Sequence, residues 1–221
     1  MTYRKYDTCF FERYAMLQLQ MLLGHKFDNL ANRDRPDLQS VGSNSLGIEV
    51  TRAMEGGKEA ALQMLKDISG ITKDEYDNAA DFQTIIESGY GYGLREGSFI
   101  GGIELDYWKS AQPMMDIISN KVSKVSSGFY GCFDEFGLFI FSKEHINVIN
   151  AFDTVQYTLN LQQPLDTKYS RLYISAISDF YACNLEDGIS PDFRVTSIKV
   201  DELMRRDLFL SALRSGPSGK C

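Results

Sequence analysis

The stretch PDLQSVGSNSLGIEVTRA, residues 36–53, decides how the rest of the chain is read. Two short strands are expected in it, near 37–41 and 46–52. Gly42, Ser43, Asn44 and Ser45 join them with a composition suited to a hairpin loop. Side chains alternate across a strand, so Ile48 and Val50 share one face while Glu49 and Thr51 share the other. On the preceding strand Asp37 and Gln39 share a face, with Leu38 opposite. A hairpin that sets Asp37 beside Glu49 brings two carboxylates within reach of one ion. Magnesium takes hard oxygen ligands and keeps several waters, so one or two carboxylates plus a substrate phosphate suffice.

Upstream, residues 8–23 have helical spacing with Gly24 as a stop, and 26–31 read as a short strand. On that helix Met16, Leu19 and Leu23 lie on the side of Glu12, while Arg13 and Gln20 mark the exposed edge. A glutamate on an apolar side needs a partner or a metal. Each acid also has an ordinary reading. Glu12 lies near a helix start, where it can reach water or pair with Arg13 or Lys5. Asp37 follows Pro36 as a turn aspartate does, and Glu49 fits an exposed strand position.

Downstream, Gly56-Gly57 precedes a helix near 58–69. Residues 70–112 combine acidic DEYDNAAD, glycine-rich SGYGYGLREGSFIGG and aromatic ELDYWKS; some helix near 79–87 and loops after it are expected. Helices are expected over 113–126 and 144–160, and strands at 136–142 and near 170–178 and 193–200. Asp201 caps a last helix through Leu213. The layout is mixed α/β.

The residues from Phe11 to Ala53, with F-E-R, G-H-K-F, R-P-D-L-Q-S and L-G-I-E-V-T-R-A in order, resemble the PD-(D/E)XK nuclease superfamily. The pattern is closest to the archaeal Holliday-junction resolvases. The resemblance implies a restriction-endonuclease-like fold: a mixed central sheet flanked by helices, with core order αβββαβ. Its core would be 8–52 and 113–142, within a single nuclease-like domain over 1–221. Residues 53–112 would be an insertion and 143–221 a C-terminal extension.

It further implies metal-dependent hydrolysis of a nucleic-acid phosphodiester, with Glu12, Asp37, Glu49 and the Val50 carbonyl holding Mg²⁺ or Mn²⁺. The chain departs from the family in one respect: Thr51 stands where a lysine is usual. A threonine orients water but carries no charge, so another residue must bring the cation. Lys121 and Lys124, at i,i+3 on one helix face, are the candidates, and a solvated lysine edge is the alternative. Lys58 and Arg52 are weaker candidates, since Arg52 points away from Thr51. The rival function is an inactive or partner-dependent binding or assembly module of the same fold. Implied partners are nucleic acid, with DNA favoured, and a homodimer or a protein partner.

Composition narrows the field. The chain has 221 residues, 43% hydrophobic and 12% aromatic, enough for a sizeable core. Lys and Arg number 23 against 30 Asp and Glu, a formal charge of −7. That excludes a global basic field but leaves room for a local basic groove. No apolar run approaches bilayer length and no signal-peptide pattern opens the chain, so no membrane association and a cytoplasmic location are expected. The four cysteines, Cys9, Cys132, Cys183 and Cys221, are far apart and read as free thiols. Ser218-Gly219-Lys220 lacks the strand and helix of a phosphate loop. Tyr90, Tyr92, Tyr107 and Trp108 either stack bases or pack the insertion.

Overall fold

The computed structural model describes residues 9–40, 45–53, 94–95, 98–99, 114–142 and 146–214. The expected helices near 58–69 and 79–87, most of the glycine-rich and aromatic stretch, Lys58 and the Gly219-Lys220 tail lie outside them. In chain order the elements are helix α1 (Cys9–Leu23), strands β1 (Leu30–Asn32), β2 (Leu38–Ser40) and β3 (Leu46–Ala53), and a two-stranded ribbon, β4 (Leu94–Arg95) with β5 (Ser98–Phe99). Helix α2 (Met114–Ser126), strand β6 (Glu135–Ser142) and helix α3 (Val148–Gln162) follow. Strands β7 (Arg171–Ala176), β8 (Asp179–Asn184) and β9 (Val195–Lys199) precede helix α4 (Glu202–Arg214).

Seven strands form one mixed sheet in the order β1-β2-β3-β6-β7-β8-β9. The inner strands β3, β6 and β7 run parallel, and the outer pairings are antiparallel. β6 holds the middle because its run Phe136–Phe141 is apolar on both faces, and such a strand is stable only when covered on both sides. On one face Phe139, Phe141, Tyr173, Phe180, Ile48 and Leu38 pack against α1 and α4. On the other, Leu138, Ile140, Leu172 and Ile174 pack against α2 and α3. No helix among the described residues is long and apolar enough to cross a membrane. Cys132 and Cys183 are free thiols.

Four local features differ from expectation. Residues 24–27 form a 3₁₀ turn, entered through Gly24 at φ 74°, and the strand begins only at Leu30. Arg13 is not an exposed edge. It is buried to 7% exposure, and its Nε donates to the Ala212 carbonyl at 2.9 Å, because α4 returns to cover α1. One strand was missed: β8 pairs with β7 through a two-residue turn, Ile177-Ser178, with Ile177 at φ 24°. Such turns are usually marked by Asn-Gly or Asp-Gly, and neither occurs here. Helix α3 also starts later than expected, at Val148. Asn147 and Asn150 cap each other's backbone N–H groups and fix the start there. Asp201 caps α4, its Oδ1 accepting from the Met204 N–H at 2.8 Å.

Candidate active site

The expected hairpin forms, and its register sets the acids together. Leu38 faces Ile48 and Gln39 faces Gly47, so the register continued by one residue places Asp37 opposite Glu49. Gly47 makes this approach available: a Cβ there would stand 2.6 Å from Pro36 Cγ and 3.0 Å from Phe133 Cγ. Pro36 thus lies directly on β3, and Asp37 follows it. The Val50 N–H donates to Asp37 Oδ2 at 2.7 Å. A strand residue directs its N–H and C=O to the same edge, so the Val50 carbonyl also faces the β2 side of the sheet.

The alternation read from β3 also holds. Ile48 joins the core under α1, Arg52 covers the Phe11 ring at 4.9 Å on that side, and Glu49 faces α2. There Lys121 Nζ donates to Glu49 Oε1 at 2.5 Å, with the two side chains only 17% and 10% exposed. Lys121 is therefore the cation brought to the acid pair. Lys124 is not: it is exposed, and its ammonium lies 5.4 Å from the Phe129 ring centroid. Thr51 is half-buried on the strand face of Glu49.

Glu12 stands somewhat apart. Its Oε2 accepts from the Asn32 side-chain amide at 2.6 Å. It still repels charge at Asp37, less strongly than Glu49 does. Among the described residues, no three His, Cys, Asp or Glu side chains gather about one point. The close pair is Asp37 and Glu49, with Glu12 as a more distant acid.

Charge is unbalanced at this pair. Burial pushes the Asp37 carboxyl up to about 7, and repulsion from Glu49 adds to the rise. The hydrogen bond from Val50 and the Lys121 ammonium oppose it without cancelling it. One cation therefore faces two carboxylates in a half-buried site.

Two tyrosines that the sequence reading did not single out complete the wall. Tyr130 is 3% exposed, and its hydroxyl lies close to Glu49 and Tyr169. Tyr169 donates to the Lys121 carbonyl at 3.4 Å. Gln162 clamps the Tyr169 backbone, donating to its carbonyl at 2.9 Å and accepting from its N–H at 3.2 Å. Burial raises both phenols, and the nearby acids add to the effect, so both stay neutral donors. No local motif marks these tyrosines, because they meet Glu49 only through the packing of three separate segments.

A cavity of about 500 Å³ between α3 and the 185–194 loop is lined by Lys168, Tyr169, Glu186 and Arg194. Neither Asp37 nor Glu49 lines it, so it is separate from the acid pair. No family model, curated protein or solved structure matches the chain.

Proposed function

We propose that the protein is a metal-dependent nuclease of the restriction-endonuclease-like class, hydrolysing nucleic-acid phosphodiester bonds at Asp37 and Glu49. The observation that carries this reading is the contact of Lys121 with Glu49 beside Asp37. The strand lacks the usual lysine at Thr51, and α2 delivers an amine to the same acid from elsewhere. With the β4–β5 ribbon assigned to the expected insertion, the order α1, β1, β2, β3, α2, β6 is compatible with the αβββαβ core that the sequence resemblance implies.

The donor set fits a hard divalent cation such as Mg²⁺ or Mn²⁺. Val50 occupies Asp37 Oδ2 and Lys121 occupies Glu49 Oε1, and the two carboxylates share a single ammonium. The Tyr130 hydroxyl stands at the same wall, beside Glu49. Asp37 and Glu49 would hold the ion, with the Val50 carbonyl on the same side. When bound, the ion lowers the pKa of a coordinated water and offsets charge on the phosphate.

The chain's own groups do the rest. The Val50 N–H fixes the orientation of Asp37. Lys121 pairs with Glu49 and supplies positive charge where the phosphorane charge develops. Tyr130, kept neutral by burial, places a hydroxyl beside Glu49 where it can meet the attacking water or a phosphate oxygen. Glu12 aligns Asn32 and adds negative potential behind Asp37.

The inactive-module reading draws support from Thr51, and the Lys121 amine at the acid pair weighs against it. The deciding experiment incubates the purified protein with plasmid and oligonucleotide DNA in Mg²⁺ or Mn²⁺. Asp37→Asn and Glu49→Gln should abolish cleavage, and titration calorimetry should show loss of Mn²⁺ binding. Unchanged cleavage in the double variant would sink the reading.

A further inference from the structure

Beside the acid pair stands a cluster that the cleavage chemistry does not use. Phe129 follows α2 with 48% of its surface exposed. The Arg35 guanidinium carbon lies 5.3 Å from its ring centroid and Lys124 Nζ lies 5.4 Å from it. Both fall within the range of cation–π attraction. The Tyr130 ring meets Phe129 edge-on, with centroids 5.2 Å apart.

Each member is tied by the chain to a residue of the site. Arg35 precedes Asp37 across Pro36, Lys124 lies one helical turn beyond Lys121, and Phe129 adjoins Tyr130. Lys124 pairs with no carboxylate among the described residues. Among the described residues Arg35 pairs with the exposed Asp34 at 3.5 Å, a contact that water screens. Arg35 is also held at φ 64°, a left-handed conformation disfavoured for a side chain of its kind. In a chain of net charge −7, two weakly compensated cations around an exposed ring form a local patch of the opposite sign.

We infer that Arg35, Phe129 and Lys124 form the landing site for a single-stranded nucleic-acid segment. The two cations contact backbone phosphates. An unpaired base stacks on the ring or on the guanidinium that covers it. Cations alone would serve a duplex equally well. The exposed ring is what selects single strands, because a duplex hides its base faces. The substrate class rests on the nuclease reading of Asp37 and Glu49, but the binding itself is separable from cleavage.

The test is fluorescence anisotropy of the full chain in EDTA, with a labelled single-stranded oligonucleotide and its duplex at several salt concentrations. Phe129→Ala should weaken single-strand binding about tenfold, in line with the loss of one stacked base. Phe129→Trp should restore it, and duplex binding should change little. Lys124→Gln should reduce the salt slope by about 0.7. Circular dichroism melts check that each variant folds, and Lys124 is exposed enough to substitute safely.

Failure of the wild type to bind single strands, or equal losses on single strand and duplex, would overturn the inference. So would normal binding by both patch variants, even with cleavage lost in Asp37→Asn; the nuclease reading would then survive alone. Binding governed by the patch in a protein that cuts no substrate would uphold the inference and remove the nuclease reading instead.

Discussion

Replacing Asp37 with asparagine should stabilise the metal-free protein at alkaline pH. The asparagine side chain keeps an oxygen to accept the Val50 N–H, so the change removes charge and little else. The native Asp37 carboxyl is raised from 3.8 to about 7, chiefly by burial and then by Glu49. The native state therefore holds this proton more tightly than the unfolded chain does. Stability is greatest below the unfolded value near 4, falls as the pH rises toward about 7, and stays reduced above it.

At 1.36 kcal/mol per tenfold change in proton affinity, the ionised group costs about 4 kcal/mol as an upper bound. Because charge is shared with Glu49 and the site relaxes, about 2 kcal/mol is the working figure. For a chain of this size that is a rise in Tm of about 4–8 °C. The assay is thermal melting of wild type and Asp37→Asn from pH 3 to 9 in EDTA. The gap should be near zero at about pH 3, below the unfolded value, and full by about pH 8.5. Saturating Mg²⁺ at about 100 times its Kd should return about 2.7 kcal/mol to the wild type alone and close the gap. A variant no more stable than wild type at pH 8.5, or destabilised equally at every pH, would refute the electrostatic account of the site.

Lys121→Met should cost about 2–3 kcal/mol in denaturant unfolding, because it leaves Glu49 buried and unpaired. It should also move the Asp37 titration higher, since Lys121 now lowers it; carboxyl-resolved NMR titration reads this directly. Gly47→Ala should destabilise by about 1–3 kcal/mol, because its Cβ would overlap Pro36, and it should reduce Mn²⁺ affinity by displacing Asp37. Arg13→Met should lose about 1.5–3 kcal/mol with Mn²⁺ affinity unchanged, because its bond to the Ala212 carbonyl joins α1 to α4 away from the acid pair. Equal Mn²⁺ affinities for the Gly47 and Arg13 variants would separate hairpin packing from site geometry.

The elements most readily read from the sequence were those with a local period. Helix α1, strands β2 and β3 and helix α2 came within a residue or two, because alternation and helical spacing are properties of neighbouring residues. The same alternation placed Glu49 opposite in sense to Ile48 and Arg52, as the sheet shows. β8 escaped because its turn carries no glycine signal, and the buried Arg13 escaped because its cover comes from α4, 199 residues further on.

The sequence by itself therefore determined which acids share the hairpin face, since a two-strand register follows from loop composition and period. It narrowed the cation that could sit at the acid pair to a few lysines and arginines and could go no further. Lys121 meets Glu49 across 72 residues of chain, and a pairing of that span is set by how α2 packs on the sheet. Tyr130 and Tyr169 reach the same acid for the same reason. Tertiary structure alone decided how much burial these groups share, and burial converts a pair of ordinary carboxylates into one with Asp37 held near neutral pH.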